Sequence, residues 1–125
     1  MTEYEIAVHI ADTYMRAMSA NDYTVVVALY ADDAKLEDPV GSDVLEGKQA
    51  ISDFYHGIGD TNLKLKRTGP VRYSNSEMVF PFECISSDAT VTVKIDIIDH
   101  FILNENNFIV SMRAFWGPDT MSMLE

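Results

Sequence analysis

One acidic residue interrupts an otherwise apolar strand pattern in the C-terminal half of the sequence. Between Val91 and Phe101, alternate residues form an apolar row, and Asp99 occupies one position of that row. A carboxylate buried there would lose its hydration with no cation in the same row, so we expect its pKa to rise and the group to stay neutral. A neutral carboxylic acid donates a hydrogen bond, and such a donor in an apolar cavity stabilises a developing oxyanion.

Two further polar residues fall on predicted apolar faces. Tyr14 lies four residues after Ile10 and four before Met18, on the buried stripe of an amphipathic helix. Asp38 shares its strand face with apolar neighbours, and Pro39 after it favours an extended conformation that fixes where the carboxylate points. The pattern makes Tyr14 a candidate phenolic donor and Asp38 a candidate general base with a pKa drawn toward the working range.

Each of these residues also has a purely structural interpretation. Tyr14 could be a core tyrosine with a nearby acceptor, and Asp38 a turn aspartate that bonds its own backbone. Asp99 could pair with a backbone amide or with Arg113, although by alternation Arg113 points away from the apolar edge. Taken together, one base and two donors in an apolar pocket favour proton transfer next to a carbonyl, with the donors stabilising the enolate oxygen.

The elements that would position these residues are helices first and strands afterwards. Hydrophobic spacing predicts three helices. The first runs from about Glu3 to Ser19, and the third from about Gly47 to His56. The second begins at a cap, Asn21 or Asp22, includes Tyr30 in its buried stripe and ends at Asp32 and Asp33. Alternation predicts a short extended segment at Ala34–Val40 and, after Gly59, a run of long strands that includes one over Phe108, Val110, Met112, Ala114 and Trp116.

This order predicts an α+β fold in a single domain over residues 1–125, with a loosely ordered tail at 118–125. The three helices would pack on a curved, mainly antiparallel sheet. A cavity between the two layers would be the natural place for a small ligand.

Composition narrows the possible partners. The chain has 125 residues, and 9 basic against 20 acidic residues give a formal charge of −11. This charge disfavours nucleic acid and anionic membranes and fits a small neutral or apolar ligand. Cys84 is the single cysteine, and the three histidines lack metal-ligand spacing, so we expect no disulfide and no metal site. Without a signal peptide pattern or a long apolar run, a cytoplasmic location is expected.

Several stretches of the sequence resemble bacterial Δ5-3-ketosteroid isomerases, of the nuclear-transport-factor-2-like superfamily. The similarity runs from about Ala11 to Gly117, and it is carried by four motifs: YADDAKLEDPVGS (Tyr30–Ser42), EGKQAISDFY (Glu46–Tyr55), DIIDHF (Asp96–Phe101) and VSMRAFWG (Val110–Gly117). The resemblance implies a cone-shaped fold, a homodimer, a deep apolar pocket and no cofactor.

The resemblance also implies roles for individual residues. Asp38 would carry a proton from C4 to C6 of a steroid through a dienolate, while Tyr14 and a protonated Asp99 would hold the C3 oxygen. This enzyme class is a known case of a carboxylic acid kept neutral by an apolar site. The substrate pocket would be lined by residues at matching positions, namely Tyr30, Tyr55, Phe82, Cys84, Met112, Ala114 and Trp116. Tyr30 and Tyr55 could equally be core aromatics, and packing is the first role expected of Trp116.

Two other functions remain compatible with these residues. The same fold hosts cyclases and dehydratases that act on polyketides or terpenoids, so fold alone does not fix the reaction. A non-catalytic ligand-binding or dimerisation domain is the third possibility, and it predicts tight binding without turnover.

Overall fold

The computed structural model describes residues 1–124 and contains three helices, α1 (Glu3–Ser19), α2 (Tyr23–Ala28) and α3 (Lys48–Ile58). Helix α1 begins where the sequence predicts. Thr2 closes a capping box, since its Oγ1 accepts from the Glu5 amide at 3.1 Å and the Glu5 carboxylate accepts from the Thr2 amide at 3.0 Å. Its apolar stripe, which includes Tyr14, is buried against the sheet.

Helix α2 is shorter than predicted, because Tyr30 already belongs to the first strand. Asp22 caps the helix, but the helix ends at Ala28, and Asp32 and Asp33 lie in β1 (Tyr30–Glu37). Tyr30 pairs with Ile109 of a distant strand, and this long-range pairing outweighs the local helical pattern. The helical placement of Tyr30 was therefore wrong.

Seven further strands complete an open, curved sheet: β2 (Leu45–Glu46), β3 (Leu63–Arg67), β4 (Arg72–Ser74), β5 (Glu77–Ser87), β6 (Thr92–Leu103), β7 (Ile109–Phe115) and β8 (Met121–Leu124). The strand order is β2-β1-β7-β6-β5-β3, with β4 on β5 and β8 on β6. Only the β1–β7 pair is parallel among the described strands. The predicted α+β architecture, with helices on a mainly antiparallel sheet, is confirmed.

A register shift in β7 changes which of its residues face the core. Leu103 pairs with Ile109 but Ile102 pairs with Ser111, so Val110 is an extra residue between the two pairs. Ile109, Met112 and Ala114 are buried, whereas Phe108 is 43% exposed. The prediction that one unbroken alternation runs from Phe108 was wrong, because the bulge inverts it at Val110.

The C-terminal residues are more regular than predicted. Residues 118–120 form a 3-10 turn, and β8 then pairs antiparallel with Thr92–Ile95 of β6. The prediction of a loosely ordered tail was therefore wrong for residues 118–124. Residue 125, the last position of the predicted tail, lies outside the described residues. Within residues 1–124, no helix is long and apolar enough to cross a membrane.

Candidate active site

Strand β6 buries Asp99 at the centre of the sheet. Asp99 pairs with Phe80 of β5 on one side and with Ala114 of β7 on the other. Its side chain is 1% exposed, and neither carboxyl oxygen has a hydrogen-bond partner among residues 1–124. Burial, and secondarily the charge of Asp38, raises the pKa of Asp99 well above its usual range. This environment favours the neutral form of the carboxyl group, which has a hydrogen to donate.

Asp38 follows the last residue of β1 in a loop that Glu37 anchors on one side and Val40 on the other. Glu37 accepts hydrogen bonds from the Gly41 amide at 2.8 Å and from Nε of Arg113 at 2.9 Å. The amide of Val40 donates to the Ala114 carbonyl at 2.8 Å. These contacts hold the loop against the end of β7, and they engage Arg113 away from the buried aspartates, as the strand alternation predicts.

The Asp38 carboxylate has one strong partner. Nε1–H of Trp116 donates to Oδ1 of Asp38 at 2.8 Å. Burial raises the pKa of Asp38, and the hydrogen bond from Trp116 partly offsets this rise because it stabilises the ionised form. Trp116 thus does more than the packing expected of it. This hydrogen bond, together with the lesser burial of Asp38, makes Asp38 easier to ionise than Asp99.

The strand register brings the two aspartates to opposite sides of one small residue. Glu37 of β1 pairs with Arg113 of β7, so Asp38 comes next to Ala114. On the other side of β7, Ala114 pairs with Asp99 of β6. Two strand spacings separate the backbones, which is roughly 10 Å. The methyl group of Ala114 leaves the space above it free, so both carboxyl groups face the same cavity.

Helix α1 supplies the third polar group. The Tyr14 ring, 4% exposed, packs edge-on against Phe101 at 5.5 Å and Phe80 at 6.4 Å between centroids. Both phenylalanines flank Asp99 in the sheet, so Tyr14 lies over the same region. Burial raises the pKa of Tyr14 well above its usual value, the charges of Asp99 and Asp38 add to the rise, and the phenol is therefore neutral.

Two more tyrosines lie behind Tyr14 in the core. The hydroxyls of Tyr30 and Tyr55 share a hydrogen bond of 2.6 Å, and both side chains are buried. The Tyr55 ring also packs edge-on against Tyr14, with 6.4 Å between centroids. Burial raises the pKa of both tyrosines. They support the Tyr14 ring from the core side of the site.

The cavity has a volume of about 150 Å³ and is mostly apolar. Among the residues predicted from the sequence, Tyr14, Asp38, Asp99, Phe82, Cys84, Ala114 and Trp116 line it. The structure does not bring Tyr30, Tyr55 or Met112 to its wall; they are buried in the core instead. The lining residues that sequence reasoning missed are Met18, Leu63, Leu65, Ile95 and Ile97. Strand pairing supplies the missing signal, since Leu65 pairs with Cys84 and Cys84 pairs with Ile95.

The thiol of the cavity is not activated for chemistry. Burial, with the nearby charges of Asp38 and Asp99, raises the pKa of the Cys84 thiol to about 11, so the thiol is a poor nucleophile at neutral pH. No group of three or more metal-ligating side chains occurs within residues 1–124. What the geometry offers is an ionisable carboxylate facing two neutral hydrogen-bond donors across an apolar cavity.

Comparison with known proteins places the chain among relatives of the same fold. The family model described as a SnoaL-like domain matches residues 11–112. A steroid Delta-isomerase from Nocardioides simplex is 32% identical over 108 residues, covering 86% of this chain and 87% of the relative.

Solved structures agree on the fold at lower identity. SalBIII, an epoxide hydrolase/cyclase-like enzyme of pyran ring formation in the polyether salinomycin, superimposes with a TM-score of 0.87 at 24% identity, over 99% of this chain and 100% of its own. RV0760c from Mycobacterium tuberculosis gives 0.85 at 22% identity over 99% and 100% of the two chains. A computationally designed 17-OHP binder gives 0.82 at 20% identity over 96% and 97%. With the family match and the curated relative, they establish that this chain belongs to the SnoaL-like family of nuclear-transport-factor-2-like proteins and is related to a steroid Δ-isomerase.

Proposed function

We propose that the protein is an isomerase that moves the Δ5 double bond of a 3-ketosteroid to Δ4 without a cofactor. The observation that carries this proposal is the pairing of two aspartates in one cavity, of which Asp38 has a donor and Asp99 has none. Such an environment keeps one carboxyl group available as a base and the other available as a donor. The relationship to a steroid Delta-isomerase supports the choice of substrate.

Asp38 carries the proton. Its carboxylate removes the C4 proton, and the electrons of the C4–H bond delocalise toward the C3 oxygen to give a dienolate. Protonated Asp38 then returns the same proton to C6, which leaves the double bond between C4 and C5 in conjugation with the ketone. The hydrogen bond from Trp116 keeps the carboxylate in place and favours its ionised form before the first step.

Tyr14 and Asp99 stabilise the dienolate. Both are neutral donors within a water-poor site, so their O–H groups meet the negative charge that develops on the C3 oxygen. Their positions are fixed before the substrate binds, since Tyr14 is enclosed by aromatic rings and Asp99 lies in the middle of β6. Preorganised donors of this kind favour the transition state over the ground state.

The decisive experiment is turnover of a Δ5-3-ketosteroid by the purified protein, followed by the ultraviolet absorbance of the conjugated enone. We expect enone formation by the wild-type protein and, with a substrate deuterated at C4, transfer of deuterium from C4 to C6. A parallel assay follows the ultraviolet shift of a bound steroid phenol, which reports a phenol ionised by strong donors. Enone formation without such a phenol shift would contradict the assigned roles of Tyr14 and Asp99.

The other two functions predict different results. A cyclase or dehydratase would turn over polyketide or terpenoid substrates from a panel and leave the ketosteroid unchanged. A ligand-binding domain would bind the steroid without exchanging its α protons. Either result would overturn the isomerase proposal.

The proposal includes a homodimer that forms through the outer face of the sheet. Ile98 and Phe115 lie opposite each other on β6 and β7, and they are 47% and 44% exposed. Pro81 of β5 pairs with Ile98, which extends the apolar patch. An exposed apolar patch is typical of a protein–protein interface, and a two-fold dimer would pair this patch with its own copy. Sedimentation should give a dimer for the wild-type protein and a monomer for Ile98→Lys.

The cytoplasmic location expected from the sequence remains a prediction.

A further inference from the structure

The C-terminal strand places two methionines on the face of the sheet that forms the cavity. Met121 pairs with Ile95 and Met123 pairs with Val93 in the antiparallel β6–β8 ladder. Directly opposed residues of an antiparallel pair project from the same face of the sheet. Ile95 lines the cavity, so Met121 lies beside the lining although it is itself outside the enclosed part.

Exposure along this face shows in which direction the cavity opens. Asp99 is 1% exposed, Ile97 and Ile95 are half-buried, and Met121 is 41% exposed. The closed end therefore lies at the aspartates, and the open end lies at β8. Apolar side chains continue without interruption from one end to the other, and the exposed methionines prolong that surface.

The enclosed volume is too small for a large ligand. It measures about 150 Å³, whereas pockets for drug-sized ligands occupy roughly 300–1,000 Å³. A steroid bound with its carbonyl between Tyr14 and Asp99 must therefore extend beyond the enclosed part. Ile95 lies four positions before Asp99, which is about 13 Å along the strand. The remote end of a flat multi-ring molecule would thus come to the level of Met121.

We propose that Met121 contacts the end of an elongated apolar ligand that is remote from its carbonyl group, so that β8 determines the preference for multi-ring over single-ring ketones. This inference rests on the proposed function. The flexible, polarizable thioether of methionine adapts to such a ligand surface better than a branched side chain would. Met121 is thus a specificity-determining residue and takes no part in the proton transfer.

A matched pair of variants on the same strand tests the inference. Met121→Ser removes the apolar contact, while Leu124→Ser makes a comparable change at a residue that is 42% exposed and pairs with Thr92 on the opposite face. Each protein is assayed with a Δ5-3-ketosteroid and with 3-cyclohexenone, a single-ring ketone that has the same β,γ-unsaturated ketone group. Met121→Ser should raise KM for the steroid about 5- to 10-fold with kcat unchanged, and it should leave the kinetics of the single-ring ketone unaltered.

The controls separate a lost contact from a disturbed strand. Leu124→Ser should behave as the wild type with both ketones, and Met121→Leu should restore most of the steroid KM. Equal effects of Met121→Ser on both ketones, or no effect on either, would overturn the inference.

Binding of phenols distinguishes failure of this inference from failure of the proposed function. The probes are equilenin, with four rings, and 2-naphthol, with two. Selective weakening of equilenin binding by Met121→Ser supports the outer contact even if the wild-type protein turns over neither ketone, a result that would refute only the isomerase activity. Equal weakening of both phenols would refute the outer contact.

Discussion

The two aspartates of the cavity are the same side chain in two different environments. Asp38 lies in a loop at the edge of the cavity and accepts a 2.8 Å hydrogen bond from Trp116. Asp99 lies in the middle of the longest strand, paired on both sides by neighbouring backbones, with no partner for its carboxyl oxygens among residues 1–124. The lesser burial of Asp38 and its indole donor together favour ionisation of Asp38, whereas full burial beside the charge of Asp38 disfavours ionisation of Asp99.

The largest expected effect comes from removing the base. Asp38→Asn should lower kcat by about 10⁴-fold, because the amide cannot carry a proton between the two carbon atoms. The ultraviolet enone assay measures this, and a steroid phenol should still bind, since Tyr14 and Asp99 are intact. Asp43→Asn, a change at an exposed residue of the same loop, is the control and should retain full activity. Near-normal turnover by Asp38→Asn would show that the two aspartates do not differ in the proposed way.

Removing either donor should have a smaller effect. Asp99→Leu and Tyr14→Phe should each lower kcat by about 10²–10³-fold, because each takes away one hydrogen bond to the developing oxyanion. Asp96→Asn, at an exposed carboxylate of the same strand, serves as the control. Steady-state kinetics distinguish the variants, and a loss confined to KM would mean that the donor acts on the bound ground state only.

Breaking the contact that distinguishes the two aspartates should have a moderate effect. Trp116→Phe removes the donor to Asp38 and leaves burial as the dominant influence, so the pKa of Asp38 should rise further. The acid limb of the kcat/KM profile should then move to higher pH, with a several-fold loss of activity on its acidic side. An unchanged acid limb would imply that Asp38 is not the group that titrates there.

The smallest effect is on stability: Asp99→Leu, which should lower activity, should raise the free energy of unfolding. The folded protein holds the Asp99 proton more tightly than the unfolded chain does, so its stability falls as pH rises above the ordinary carboxyl range toward the pKa of Asp99. Asp99→Leu also removes a buried polar group without partners, a gain of about 1–3 kcal/mol. Thermal unfolding at neutral pH should show a Tm several degrees higher. The difference in Tm between Asp99→Leu and the wild type should shrink as the pH falls toward the ordinary carboxyl pKa range.

Long elements with partners on both sides were predictable from the sequence. The alternation along β6 identified the buried position of Asp99 because β5 and β7 pair with the strand on both sides at that residue. Helix α1 was equally clear, because a capping box and a continuous apolar stripe agree there. These two elements carry Asp99 and Tyr14, so the amino-acid pattern predicts the burial of both side chains.

Local patterns failed where distant contacts decide the conformation. The pair Asp32–Asp33 is typical of a helix end, but β7 pairs with Tyr30 before it and with Lys35 after it, which places the pair within β1. The bulge at Val110 has no local signature, and β8 is a four-residue strand with all side chains exposed. The hydrogen bond from Trp116 to Asp38 joins two loops far apart in the sequence, so no periodicity reveals it.

The hydrogen bond between Tyr30 and Tyr55 offers a built-in reporter of core opening. Both hydroxyls are buried and their oxygens are 2.6 Å apart, so the shared proton reaches solvent only when the surrounding core opens. Its resonance should therefore be observable by NMR, and its rate of exchange with water would measure the free energy of that opening. Because the ring of Tyr55 supports Tyr14, the same rate would also report how often the proposed oxyanion site loses its fixed geometry.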